Sequence, residues 1–257
     1  MVNDKLQNYA VIIEHLNVNY DNKKGALLDV NMKIAKGEYV AIIGPNGGGK
    51  TTLVKAMLGL IRNYDGKIKI NGSISYVPQL NTVDRKFPVD VRNLILTGTY
   101  KGALKPFFKY SDEDYKITDK TINDLGINNI ANKRISELSG GEYQKVLIAR
   151  GIASGADILL LDEPTANIDS ESRKNIYQIL SELKGKYTII ITTHDTMAVN
   201  EHADSIACVN EKLIYHGKPE INQKIVDEMY GCNVDLLAHG VAHRVLRQHD
   251  NVGDAND

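Results

Sequence analysis

No stretch of the chain constrains its fold as tightly as residues 44–52, Gly44-Pro45-Asn46-Gly47-Gly48-Gly49-Lys50-Thr51-Thr52. They satisfy the pattern G-x-x-x-x-G-K-[ST], in which glycines let a tight loop turn its backbone N–H groups inward toward an anion. The pattern carries that meaning between a strand and a helix. Here the β-branched run Tyr39–Ile43 leads in, and residues 51–60 (TTLVKAMLGL) have the composition of a helix. Gly44, Asn46, Gly47, Gly48, Gly49 and Thr52 are then the expected cradle at a helix N-terminus. Lys50 is expected to reach the β- and γ-phosphates of a nucleotide, and the Thr51 hydroxyl to ligate Mg²⁺.

Short β-rich runs recur at 11–15, 27–34, Ile158–Asp162, 188–192, 205–209 and 212–216, the last two expected to pair. Helical composition falls at 91–100, 112–125, 141–154 and 171–184. This alternation predicts an α/β core with a mostly parallel sheet. The runs 67–70 and 73–77 flank Asn71-Gly72, the strongest short hairpin signal, which predicts an antiparallel part. The helical middle of the chain reads as an insertion into that core.

Composition narrows the function. Of 257 residues, 42% are hydrophobic and 25% charged, which argues against disorder. Lys plus Arg total 31 against Asp plus Glu 32, a net charge of −1, and a protein held to nucleic acid by phosphate neutralisation would be more basic. Cys208 and Cys232 are too few for a disulfide framework. The start, MVNDKLQNYAVIIEH, lacks a signal-peptide pattern, and no apolar run approaches the ~18 residues of a membrane helix. A cytoplasmic chain is expected, with any membrane role exercised through a partner.

Two further motifs carry chemistry. The apolar run 158–161 ends in Asp162-Glu163. Asp162 is placed to hold Mg²⁺, and Glu163 to polarise and orient the attacking water. Leu138-Ser139-Gly140-Gly141-Glu142 opens the helix at 141–154, so Ser139 and the Gly140 and Gly141 amides form an anion site at its N-terminus. Ser139 with Glu142 three residues on is also a capping box, and both readings hold together.

With these motifs in this order, residues 10–220 resemble the ATP-binding cassette (ABC) family, whose signature usually reads LSGGQ; Glu142 departs from it at the last position. The resemblance implies a P-loop NTPase (RecA-like) core over about 8–80 and 145–220, a helical subdomain over about 81–144, and a helical, His-containing tail over 221–257. It implies ATP and Mg²⁺ as ligands and ATP hydrolysis as the activity. Tyr20 resembles the aromatic that stacks on adenine. Gln79, in Tyr76-Val77-Pro78-Gln79, resembles the Q-loop glutamine that touches Mg²⁺. Asp169 resembles the D-loop aspartate that organises the partner's site, and His194 the switch histidine that contacts the γ-phosphate. The family works as a head-to-tail dimer, each signature covering the ATP held by the other copy.

The implied partners are a second cassette, separate integral-membrane permease subunits and an extracytoplasmic metal-binding protein, with no nucleic acid. The implied place is the inner face of the cell membrane, held there through the permease. Residues 87–100 (FPVDVRNLILTGTY) lie where family members receive a short helix of the permease, and core packing is their other use. That stretch and the tail around His239 and His243 resemble importers of zinc or manganese. His239 and His243 are spaced i, i+4, which on a helix puts both imidazoles on one face as a candidate zinc pair, with His249 and Cys232 nearby. The alternatives are an importer ATPase for another substrate such as an iron chelate, or a non-transport ATPase of the family acting on nucleic acid or the ribosome.

Overall fold

The computed structural model describes residues 8–20, 23–80, 85–102, 108–195, 199 and 201–230. In chain order its elements are β1 (Tyr9–Tyr20), β2 (Lys23–Ala35), β3 (Tyr39–Ile43), α1 (Lys50–Met57), β4 (Asp65–Ile70) and β5 (Ile74–Val77). There follow α2 (Val91–Leu96), α3 (Asp112–Asp124), α4 (Gly140–Ala153), β6 (Ile158–Asp162), α5 (Ser170–Leu183), β7 (Thr188–Thr193), β8 (Ser205–Asn210), β9 (Lys212–Gly217) and α6 (Gln223–Tyr230). The tail readings at Cys232, His239, His243 and His249 lie outside the described residues.

The strands form a six-stranded sheet in the order β5-β6-β7-β3-β8-β9 and a three-stranded sheet in the order β2-β1-β4. The larger sheet is parallel from β5 to β8, with β9 antiparallel at its edge. The smaller sheet is antiparallel throughout. Period-2 alternation explains why β3 is apolar at every position. Tyr39, Ala41 and Ile43 enter the core shared with the helices, while Val40 and Ile42 enter the core shared with the small sheet. Strand β6 divides the same way, with Leu159 and Leu161 on one side and Ile158 and Leu160 on the other. Both cores therefore grip the strands whose C-terminal ends carry the motif residues.

The hairpin expected at Asn71-Gly72 is not formed. Strand β4 pairs with β1, and β5 joins the other sheet beside β6. A local turn signal does not choose the strand's partner, and here the Asp157 carboxylate decides it. It accepts from the Ser73 backbone N–H at 2.7 Å and from the Ser73 hydroxyl at 2.8 Å, which pins the start of β5 to β6. Helix α1 is also shorter than residues 51–60, because Gly59 at φ 68 ends it in the left-handed conformation.

Helix α4 runs unbroken across residue 144, so the helical segment and the sheet core share one rigid element. Helix α6 places Ile225 and Met229 in the same core as β8, and Asn210 donates to the Met229 carbonyl at 3.0 Å.

Candidate active site

The phosphate-type loop joins β3 to α1 and is braced from behind. The Glu211 N–H, in the β8–β9 turn, donates to the Gly48 carbonyl at 2.8 Å, and the Leu28 N–H of β2 donates to the Glu211 carbonyl at 2.7 Å. Gly44 sits so close to β8 that a Cβ there would lie 2.0 Å from the Val209 carbonyl oxygen. Gly49 caps α1 with φ 97, a left-handed conformation that side chains resist, and no side chain caps this helix. Lys50 is 6% exposed and its ammonium donates to the carbonyls of Gly44 at 2.8 Å and Pro45 at 3.0 Å. Burial draws its pKa below the usual lysine value, against the opposing pull of the Glu163 and Asp162 charges.

Gly49 and Lys50 line one cleft of about 300 Å³ together with Tyr20, Ala26, Asn46, Gly47, Thr51, Thr52 and Glu163. The cleft thus brings an exposed aromatic at the end of β1, a ring of loop amides, a lysine, two hydroxyls and a carboxylate into one place. Ala26 had no sequence signal: it reaches the cleft because β2 passes behind Gly49, whose Cβ would lie 2.8 Å from the Ala26 carbonyl.

The acidic pair closes the end of β6. Asp162 lies opposite Thr192 in the β6–β7 register, and the Thr192 hydroxyl donates to its Oδ1 at 2.6 Å. The Tyr76 hydroxyl donates to Asp162 Oδ2 at 3.4 Å, and burial with the Asp162 charge pushes the Tyr76 pKa up to about 12. Glu163 turns the chain at φ 46, a strained conformation for a side-chain-bearing residue, and its N–H donates to the Thr192 hydroxyl at 2.9 Å. That turn swings the Glu163 carboxylate toward the loop, so two adjacent acids approach one site. Gln79 Nε2 donates to Glu163 Oε2 at 3.1 Å, which joins the end of β5 to the end of β6. Thr192 and Tyr76 hold the acids from positions 30 and 86 residues away in the chain, a relation no local pattern announces.

His194 follows β7 and is exposed; it does not line the loop cleft. Its neighbour Asp195 pairs with Arg173 of α5 at 3.4 Å. Asp169 caps α5, accepting from the Ser172 N–H at 2.9 Å, and that backbone donor lowers its pKa. Ser139 caps α4 in a complete capping box. Its N–H donates to Glu142 Oε2 at 2.8 Å and its hydroxyl accepts from the Glu142 N–H at 3.2 Å. The Ser139 amide holds the Glu142 pKa below the usual glutamate value. Gly141 meets α5 closely, since a Cβ would lie 2.3 Å from Ser172 Oγ. Ser139, Gly140, Gly141 and Glu142 are absent from the lining of the loop cleft, so the two glycine-containing helix starts stand apart in this chain.

The donors near the loop are the Thr51 hydroxyl, the Asp162 carboxylate and the Gln79 amide oxygen. All are hard oxygens of the kind Mg²⁺ prefers, and a single oriented carboxylate suits an ion that shares its shell with phosphates and water.

A family profile described as ABC transporter matches residues 27–166. The chain is 37% identical over 241 residues to the manganese transport system ATP-binding protein MntB of Listeria innocua, covering 89% of this chain and 99% of that protein. It is 34% identical over 221 residues to the zinc import ATP-binding protein ZnuC of Wolbachia pipientis, covering 84% of this chain and 86% of that protein. A solved ATP-binding cassette, dimeric in a post-hydrolysis state with ADP and phosphate bound, matches with a TM-score of 0.67 and 25% identity. That match covers 82% of this chain and all of the cassette.

Proposed function

Because the chain belongs to the ABC transporter family, we propose that it is the ATP-binding and ATP-hydrolysing subunit of an importer for a divalent metal ion, zinc or manganese. The observation that carries the reading is the single cleft that joins Tyr20, the loop amides, Lys50 and Glu163. Tyr20 offers a ring for adenine stacking. The loop amides and Lys50 take the phosphate chain, and Lys50 exchanges its loop carbonyls for phosphate oxygens without leaving its buried position. Thr51, Asp162 and Gln79 would hold Mg²⁺, which supplies charge neutralisation for the phosphates.

Glu163 accepts hydrogen bonds from an attacking water and orients it at the γ-phosphate, and its strained turn fixes the direction of approach. Gln79 holds the Glu163 carboxylate in place. His194, at the end of β7, contacts the γ-phosphate when the site closes. Ser139, Gly140, Gly141 and Glu142, with Asp169, face the nucleotide of a second copy, so each ATP is covered from two sides by two chains. Loss of the γ-phosphate removes the shared ligand and lets the pair open; that difference in affinity is the source of mechanical work.

No helix among the described residues is long and apolar enough to cross a membrane. The transport path is therefore assigned to separate permease subunits, on whose inner-face side this chain sits, with an extracytoplasmic metal-binding protein delivering the ion. The relatives named for manganese and zinc support the cargo class. The test is purification of the tagged chain from its native membranes. A polytopic membrane protein is expected with it, and the reconstituted complex should hydrolyse ATP faster with Zn²⁺ or Mn²⁺ and the delivery protein. Recovery of ribosomes or DNA in place of a membrane protein would overturn the transport reading.

A further inference from the structure

Residues 85–92 are laced to the chain just ahead of Ser139. Asp90 and Arg134 form an antiparallel bridge. Around it the Ile135 N–H donates to the Val89 carbonyl at 3.1 Å, Val91 to Lys133 at 3.0 Å and Arg92 to Ala131 at 3.0 Å. At the end nearest the signature, the Arg85 guanidinium takes over from the backbone. Its Nη2 donates to the carbonyl of Leu138, the residue directly before Ser139, and to that of Ile135 at 3.4 Å. Its Cζ lies 5.1 Å from the ring centre of Tyr143. Tyr143 is buried one turn into α4, and its N–H donates to the Ser139 carbonyl at 3.0 Å.

One guanidinium thus grips both sides of Ser139, the peptide before it and the helical turn after it. A planar fork that donates to carbonyls and stacks on a ring sets an orientation that a point charge does not. Six residues earlier, Gln79 holds Glu163 at 3.1 Å. Gln79 therefore touches the hydrolytic carboxylate of its own site, and Arg85 touches the peptide before the signature serine.

We propose that Arg85 is a positioning residue that locks the signature helix start to the segment following Gln79, so that the state of one nucleotide site sets the placement of Ser139 on the nucleotide of the second copy. This rests on the nucleotide reading given above. Arg85 touches no nucleotide in this scheme. Its effect falls on closure of the pair, not on the first binding of nucleotide.

The test compares Arg85→Met, which keeps the aliphatic stem, and Arg85→Lys, which keeps the charge, with the parent full-length chain. ADP, which needs only the loop side, should bind Arg85→Met within about twofold of the parent, while kcat for ATP falls about tenfold and the Hill coefficient drops toward one. Placed on Glu163→Gln, Arg85→Met should need about tenfold more ATP to form the dimer seen by size-exclusion chromatography. Arg85→Lys should fall between Arg85→Met and the parent in both measurements.

Parental kcat and dimerisation in either variant would overturn the proposal. So would a loss of ADP affinity in step with a lowered melting temperature, because that pattern marks general support of the fold. A parent chain that neither hydrolyses ATP nor dimerises with it would instead defeat the nucleotide reading, which keeps the two failures distinct.

Discussion

Two helix starts in this chain are built from small residues, and they differ in what occupies their first N–H groups. At α1 the cap is Gly49, no side chain folds back on the helix, and the loop is clamped from behind by the β8–β9 turn. At α4 the cap is Ser139, and the Ser139 and Glu142 N–H groups are both satisfied within the chain by the capping box. The first start is arranged for an anion before any ligand arrives. The second is satisfied within the chain and carries the Glu142 carboxylate at its first turn.

Magnitudes show what this difference does. A capping contact is worth about 1 kcal/mol, and a hydrogen bond to a charged group about 1.5–3 kcal/mol. The Ser139 N–H bond to the Glu142 carboxylate is already of the charged kind, so a phosphate arriving at this helix start would have to displace a bond of its own strength. Under the proposed function, α1 is the start that binds and α4 the start that closes over the nucleotide of a second copy.

Three substitutions sharpen that division. Gly44→Ala should have the largest effect, because its Cβ would meet the Val209 carbonyl at 2.0 Å. The loop must shift, with a loss of about 3 kcal/mol in stability and of nucleotide binding altogether, read by calorimetry and by ADP titration. Thr192→Val removes the hydroxyl that donates to Asp162 at 2.6 Å and accepts from the Glu163 N–H at 2.9 Å. It should cost about 1–3 kcal/mol and lower kcat more than it raises KM, since the phosphate loop is untouched. Equal changes in kcat and KM would place Thr192 in binding instead.

Glu142→Gln should have the smallest effect. Glutamine preserves the box while removing a negative charge near the incoming phosphate, so ATP-dependent dimerisation should tighten by about threefold or less. The variant also has a pH signature. The folded-state pKa of Glu142 is lowered by the Ser139 amide, so its contribution to stability is present above the unfolded glutamate value, about 4.3, and fades as pH falls through the lower folded value. Melting curves of the variant should lose that part of the acid-side decline. An unchanged acid profile would mean that the carboxylate does not hold the cap in solution.

The loop was legible because its chemistry is local: nine consecutive residues supply the turn, the lysine and the hydroxyl, and the flanking patterns name the strand and the helix. The α4 cap was legible for the same reason, since Ser139 and Glu142 are three residues apart. Tyr20 and Gln79 carried meaning only through the order of motifs they share with a family. Thr192 and Tyr76 left no trace, because their role depends on β5, β6 and β7 lying side by side. The Asn71-Gly72 turn misled for a related reason. The bonds from Ser73 to Asp157 send the strand after it into a different sheet, so the two runs beside it never pair. Arg85 belongs with this second group, since its grip on Leu138 and Tyr143 spans the helical segment.

In the proposed function Glu163 orients water in a site completed by a second copy of the chain. Glu163→Gln keeps the size and the turn but loses the acceptor charge, so ATP turnover measured by phosphate release should fall by about 10²–10³-fold. The same sample, run with ATP and Mg²⁺ on a size-exclusion column, should elute as an ATP-loaded dimer, while the parent returns to the monomer position as it hydrolyses. Phosphate release at the parental rate from the Glu163→Gln chain, with no dimer at saturating ATP, would contradict the account.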